Sequence, residues 1–197
     1  MTACLAGLGS GLSLIVAIGA QNAFVLKQGL LRRHVLATCL FCALSDAVLI
    51  TAGVLGAGTL AAHAPGFMAA MRWGGAGFLL VYGARAFLAA WRGGGALRAG
   101  EGAASLGATL AVLAALTWLN PHVWLDTVVL LGAISAGFEP TGFVLGAVSG
   151  SVLFFFGLGY GARLLAPVFA RPGAWRVLDL GIGLVMWSIA LGLVLAG

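Results

Sequence analysis

The chain has 197 residues, 62% of them hydrophobic and 8% charged, with 32 glycines and a mean hydropathy of +1.12. A soluble domain carries about 25% charged residues because its surface must meet water, and ten basic plus five acidic side chains cannot coat such a globule. The composition therefore excludes soluble domains and predicts an all-α, polytopic integral membrane protein with little chain outside the bilayer.

The net charge of +5 comes with no basic patch interleaved with aromatics, so no nucleic-acid partner is expected. Cys4, Cys39 and Cys42 are too few for a disulfide framework, and no Cys/His cluster has metal-ligand spacing. Neither a metal nor a cofactor is expected. The first charge is Lys27, so there is no basic leader before the apolar run and no cleaved signal peptide is predicted.

Charged residues divide the rest in chain order. Residues 2–26 are uncharged, and Lys27, Arg32, Arg33 and His34 follow together. A second apolar run covers about 35–62 and is broken only by Asp46. His63-Ala-Pro-Gly66 signals a turn. A third run, about 67–91, carries Arg72 and Arg85 towards its ends, and the Gly-rich segment 92–104 reads as an aqueous loop. Residues 105–136 are apolar but contain Asn120, Pro121, His122 and Asp126. After a turn at Gly137-Phe-Glu139-Pro140 comes the uncharged run 141–162, then Arg163, Arg171 and Pro172, then a last run over 173–196 with Arg176 and Asp179 near its start.

About 20 apolar residues cross a ~30 Å hydrocarbon core, and six segments meet that length. The strand alternation of a membrane barrel is absent. Asn120-Pro121 leaves three readings of the fourth segment open: one kinked span, a broken span or a re-entrant piece, with five spans as the alternative count. Lys27, Arg32, Arg33, Arg92, Arg98, Arg163 and Arg171 all fall in the odd-numbered loops, and the even-numbered loops hold no Lys or Arg. Odd loops are therefore predicted in the cytoplasm and both termini outside.

An internal repeat is suggested by Asn22 and Asn120. Asn22-Ala-Phe-Val25-Leu-Lys-Gln28 aligns with Asn120-Pro-His-Val123-Trp-Leu-Asp126 through Asn, Val and a terminal amide or acid. Halves of about 1–98 and 99–197 would each hold three spans within a single transmembrane domain. An odd number inverts the second copy, and discontinuous helices would then meet near the midplane.

Asp46 stands out among the polar residues. It lies roughly 18 Å beyond His34 along a helix, near the bilayer centre, where an ionised carboxylate costs at least ~2.5 kcal/mol. Thr38, Cys42, Ser45, Asp46, Leu49 and Gly53 form a stripe that should face inward, with Val48 and Leu55 towards lipid. Asp46 reads as a proton-titrating or cation-binding group, against a structural hydrogen bond or a buried ion pair, as to Arg72 or Arg85. The Gln21 and Asn22 amides can hold an α-amino and an α-carboxylate group, or act as interhelical glue. Pro121 removes a backbone donor and frees carbonyls beside Asn120 and His122, while Asp126 reads equally as functional or as solvated at the outer rim. Cys39 and Cys42 match C-x-x-C but read better as buried packing thiols, with nothing electropositive nearby. Gly142, Gly146, Gly150, Gly157 and Gly161 allow close helix packing within the protomer or across a homodimer. Trp73, Trp91 and Trp175 suit an interfacial belt.

Several strings resemble a known family. They are Gly19-Ala-Gln-Asn-Ala-Phe-Val-Leu-Lys-Gln-Gly29, Cys42-Ala-Leu-Ser-Asp46, Asn120-Pro-His-Val-Trp-Leu-Asp-Thr-Val-Val-Leu-Leu-Gly132, and Arg176-Val-Leu-Asp179 with Met186-Trp187. From about residue 7 onward the chain resembles the lysine exporter family of bacterial basic amino acid exporters. The wider superfamily, which also exports neutral amino acids, shares only the Asn of span one and the Asn-Pro of span four. The resemblance implies a multi-pass inner-membrane carrier, not an enzyme, that exports L-lysine and/or L-arginine from the cytoplasm in exchange for protons. In that reading Asp46 and Asp126 serve the cationic side chain, and Gln21, Asn22 and Asn120 clamp the backbone groups. Pro121 and His122 complete the site, and cyclic protonation of Asp46 couples protons to substrate. An exporter of neutral amino acids such as homoserine or threonine, and a thiol–disulfide oxidoreductase using Cys39 and Cys42, are the alternatives.

Overall fold

The computed structural model describes residues 1–16, 19–57, 65–92 and 105–195. His63 and residues 93–104, with Arg98 and Glu101 of the expected loop, lie outside the described residues. Among the described residues the chain is helical and has no strand. The helices are α1 (Thr2–Ile15), α2 (Ala20–Leu31), α3 (Val35–Ala52), α4 (Pro65–Trp91), α5 (Leu106–Trp118), α6 (Pro121–Ser135), α7 (Pro140–Gly161) and α8 (Pro172–Leu195). Short 3-10 turns at Ala162–Leu165 and Val168–Ala170 join α7 to α8.

Segments over Val35–Gly56, Ala69–Trp91, Pro140–Leu165 and Gly173–Leu195 are each long and apolar enough to cross a membrane, and two bent helix pairs bring the number of candidate spans to six. The first of these bent pairs corrects the sequence expectation. Residues 2–26 do not form one run: α1 and α2 meet at 84°, and Lys27 lies inside α2 rather than in a loop. Gly19 caps α2 in an extended conformation. In the fourth segment α5 and α6 meet at 59°, a bend that fits a broken span or a re-entrant piece.

The role of Pro121 also differs from expectation. It does not wrench a continuous helix; it opens a new one at the position where a missing N–H costs nothing. Asn120 caps that helix, its Oδ1 accepting from His122 N at 3.1 Å. The middle of α6, Leu125–Leu130, widens into a π-helix. Glu139 caps α7 by accepting from Thr141 N and Gly142 N, and the Gly142 donor leads in holding its carboxyl below the ordinary glutamate range.

Packing follows the glycines, because lipid tails give apolar helices no reason to associate beyond close contact. α1 runs along α7, α4 along α8, and α3 crosses α7. Gly142, Gly146 and Gly150 of α7 face Ala3, Cys4, Leu8 and Leu12 of α1, so this stripe is used within the protomer. Gly157 and Gly161 face open space instead, and Gly159 is the glycine that receives Cys39 Sγ. Gly53 just after α3 meets the backbone of Thr127, Val128 and Gly132 in α6, and Gly29 of α2 meets Gly159 and Ala162 at the end of α7. The second half of each broken span thus docks glycine against glycine on a helix from the other half of the chain.

The stripe Thr38, Cys42, Ser45, Asp46, Leu49 and Gly53 is buried, while Val48 and Leu55 are 57% and 77% exposed, so α3 faces as expected. Trp73 and Trp91 point outward. Trp175 does not: it is buried, and its Nε1 donates to Phe169 O at 2.8 Å.

A Cβ at Gly146 would overlap the Cys4 carbonyl, whereas one at Gly157 meets nothing. Gly146→Ala should therefore cost about 1–3 kcal/mol and lower the melting temperature of the detergent-purified protein by roughly 2 to 12 °C. Gly157→Ala should leave it unchanged or raise it slightly, through better helix propensity. Equal melting temperatures for the two variants would contradict the α1–α7 seam.

Candidate functional site

The two helix breaks meet at one cavity of about 200 Å³. Gln21 and Asn22 reach it from the start of α2, Asp46 from α3, and Asn120, His122 and Asp126 from the α5–α6 break and the π-helical stretch. Phe155 of α7 and Ile189 of α8 supply apolar walls. Residues separated by nearly half the chain therefore line one space. Of the residues expected at the site, Pro121 alone does not line this cavity. It is buried behind it and acts through the break it starts.

Each break is closed by a side chain. Asn22 Nδ2 donates to Ile15 O, at the end of α1, at 2.7 Å. Trp124 Nε1 donates to Trp118 O, at the end of α5, at 3.2 Å. At the Pro121 break, where freed carbonyls are expected to coordinate a ligand, the Trp118 carbonyl is thus already occupied. Gln21 is 8% exposed; its side-chain amide lies against the Cys42 thiol, a weak acceptor, and among the described residues Nε2 has no stronger one. A buried amide donor left unmade costs about 1–3 kcal/mol, so it is poised for an acceptor brought into the cavity.

Asp46 is 5% exposed and accepts from Ser151 Oγ at 2.7 Å. Of the two structural alternatives, the hydrogen bond forms and the ion pair to Arg72 or Arg85 does not. The Arg72 guanidinium instead lies 5.2 Å from the Trp73 ring centre. A hydrogen bond to a charged group contributes about 1.5–3 kcal/mol, close to the ~2.5–3.5 kcal/mol that a carboxylate costs at mid-membrane. Ser151 therefore makes Asp46 tolerable without neutralising it. The neighbouring Ser45 Oγ accepts from Trp118 Nε1 at 3.2 Å, tying α3 to the end of α5. Asp126 is half-buried and lines the cavity, one turn from the more exposed His122.

Two partners are invisible to sequence reasoning. Ser151 lies in an uncharged span, and no spacing rule connects it to Asp46 across 105 residues. Asp179, near the start of the last apolar run, has a wholly buried side chain and is paired with Lys27 at 2.5 Å. The available signal is a single basic residue on α2 and a single acidic residue on α8, which also carries Arg176. Cys39 and Cys42 are buried in the core, and Cys39 Sγ donates to Phe155 O at 3.2 Å, as packing thiols do. Among the described residues no group of His, Cys, Asp and Glu is arranged to hold a metal ion.

The LysE type translocator family matches residues 12–197. The chain belongs to that family. Arginine exporter protein ArgO of Yersinia enterocolitica is 44% identical over 197 residues, 98% of this chain and 96% of the relative. The protein of the same name from Escherichia coli K12 is 43% identical over 194 residues, covering 95% and 90% of the two chains. That from Salmonella schwarzengrund is 42% identical over 198 residues, covering 97% and 92%. No solved structure matches. This LysE-type chain is thus a multi-pass membrane transporter of the amino acid export class and not an enzyme, which leaves Cys39 and Cys42 as core residues.

Asn120 serves twice, as a cap and as a cavity residue, and the two roles separate by substitution. Asn120→Ala should lose about 1 kcal/mol, typical of a lost cap, seen as a drop of roughly 2–4 °C in melting temperature. Asn120→Ser keeps a capping oxygen without adding a charge and should melt near the wild type. Identical losses in both variants would remove the capping role.

Proposed function

We propose that this LysE-type translocator exports basic amino acids, arginine foremost and lysine with it, from the cytoplasm in exchange for protons. The observation that carries this reading is the central cavity: two carboxylates, Asp46 and Asp126, share about 200 Å³ with the amides of Gln21, Asn22 and Asn120. A neutral amino acid brings no side-chain charge to answer two acids in a low-dielectric space. Arginine or lysine does, and the amides supply donors and acceptors for the α-carboxylate and α-ammonium groups. Relatives over 40% identical along nearly the whole chain are named arginine exporters, which supports the same substrate.

Asp46 is the coupling group in this reading. Its partner Ser151 is a hydroxyl, which donates to a carboxylate and accepts from a carboxylic acid. Asp46 can therefore change protonation state without losing its hydrogen bond. A proton taken from outside cancels the charge that held the substrate cation. Cation export also works against an inside-negative potential at ~2.3 kcal/mol per charge per 100 mV, and one inward proton offsets that cost. His122 stands at the exposed edge of the cavity and Pro121 sets the break. Two inverted halves, about 1–98 and 99–197, fit the paired bends and the reciprocal glycine contacts.

A labelled efflux panel of arginine, lysine, homoserine, threonine and leucine from loaded vesicles tests the reading. Arginine and lysine should leave faster under an inward proton gradient, and the neutral amino acids should not. Asp46→Asn should abolish the proton dependence, and Asp126→Asn should slow arginine efflux at least about tenfold, the loss expected for one charge partner. Undiminished proton-driven arginine efflux by Asp46→Asn would sink the coupling role, and absence of counterflow exchange would indicate a channel.

Orientation completes the proposal. Lys27, Arg32, Arg163 and Arg176 gather at one end of the bundle, where Arg32 and Arg163 line one crevice and Arg176 Nε donates to Ala90 O. That end faces the cytoplasm by the basic-loop rule, with both termini outside. A cysteine introduced beside Met1, in a background freed of native thiols, should react with an impermeant maleimide on intact cells. Labelling only after permeabilisation would reverse the orientation.

A further inference from the structure

Lys27 and Asp179 form an ion pair inside the membrane domain, joining α2 to α8. The Lys27 side chain is 26% exposed and that of Asp179 is not exposed at all. The ammonium reaches Oδ1 alone, and among the described residues Oδ2 is buried without a donor. A pair built only to tie two helices gains from satisfying both oxygens, since a buried charge left half-solvated costs stability. This one is left half-made.

Asp179 is buried and does not itself line the neighbouring cavity, but its partner Lys27 does. A second cavity, of about 190 Å³, is lined by Phe24, Lys27, Tyr82, Arg85, Ile182 and Met186. On α2, Gln21 and Asn22 line the central cavity while Phe24 and Lys27 line this one; on α8, Ile189 lines the first while Met186 and Ile182 line the second. The two spaces are stacked along the same two helices, ~9 Å apart by helix rise from Gln21 to Lys27. Phe24 and Met186, both buried, stand between them. The second cavity lies towards the basic end of the bundle, which is the cytoplasmic end in the proposed orientation.

We infer that Asp179 is a cytoplasmic-side subsite for the side-chain cation of a basic amino acid, with Lys27 as its resident, exchangeable occupant. The inference rests on the basic amino acid export reading. An ammonium makes a single contact to Asp179, whereas a guanidinium forks across both carboxylate oxygens and fills the open Oδ2. Arginine therefore displaces Lys27 at a gain, and lysine displaces it only like for like. The displaced Lys27 and the nearby Arg85 then face the α-carboxylate that the substrate brings with it, so the exchange leaves no carboxylate unpaired. The subsite thus ranks arginine ahead of lysine before either reaches Asp46.

The experiment is uptake of labelled arginine and lysine into inside-out vesicles, in which the cytoplasmic face meets the medium, using wild type, Lys27→Arg, Lys27→Met and Asp179→Asn. Melting temperatures of the purified variants are measured alongside. Lys27→Arg keeps the ion pair but gives Asp179 a forked occupant, and should raise the arginine KM about tenfold, one further charge-assisted hydrogen bond converted to a ratio. Lys27→Met removes the competitor and should lower that KM. Asp179→Asn should raise it and erase the preference for arginine over lysine; should this variant not fold, the two Lys27 variants decide alone. A merely structural tie predicts wild-type KM in Lys27→Arg and a change in melting temperature without a change in KM in Lys27→Met, and that pattern overturns the subsite. Wild-type vesicles that take up neither arginine nor lysine would remove the export reading itself, whereas wild-type uptake with a KM indifferent to Lys27 removes the subsite alone.

Discussion

A helix interrupted inside a bilayer frees backbone N–H and C=O groups that hydrocarbon cannot satisfy, at several kcal/mol each. This chain interrupts two, between α1 and α2 and between α5 and α6. The rest of the architecture answers that constraint. Asn22 takes the Ile15 carbonyl, Trp124 takes the Trp118 carbonyl, and Asn120 takes the His122 N–H. The side chains that close the breaks must be polar and must sit at mid-membrane, so the breaks create a polar centre in an otherwise apolar protein. The central cavity is where those two closures meet.

Bringing the half-helices to the same centre requires backbones to approach one another closely. Glycine permits this where any Cβ would collide, as at Gly146 against Cys4 or Gly53 against Thr127 and Val128. Gly56, with φ near +93°, serves a different need by turning the chain after α3 in the left-handed region. Interhelical hydrogen bonds in membranes average only ~0.6 kcal/mol. The long α1–α7 and α4–α8 seams therefore carry more of the stability than the polar contacts. Polar residues are left to position chemistry.

The described acids divide by partner. Glu139 caps a helix in water; Asp46 rests against a hydroxyl; Asp126 lines the same cavity from a π-helical turn; Asp179 is held by an ammonium. These environments suit different tasks. A hydroxyl stays bonded whichever way the carboxyl is protonated, whereas an ammonium serves only the charged form.

Much of this is legible in the residues themselves. Fifteen charges in 197 residues force the chain into a membrane, and the helical stripe through Asp46 names its buried face, because composition and periodicity are local properties. Gln21, Asn22, Asn120, His122 and Asp126 are identifiable as polar groups that hydrocarbon would not tolerate without a purpose. What sequence cannot decide depends on contacts between distant segments. The 84° bend between α1 and α2 has no proline to announce it, and Gly159 rather than Gly157 or Gly161 packs because α2 and α3 happen to cross there. Ser151 reaches Asp46 across 105 residues, and Lys27 reaches Asp179 across 152. A charge written in a sequence shows only that a partner is needed in hydrocarbon; which partner is a matter of distance, and distance exists only once the helices are packed.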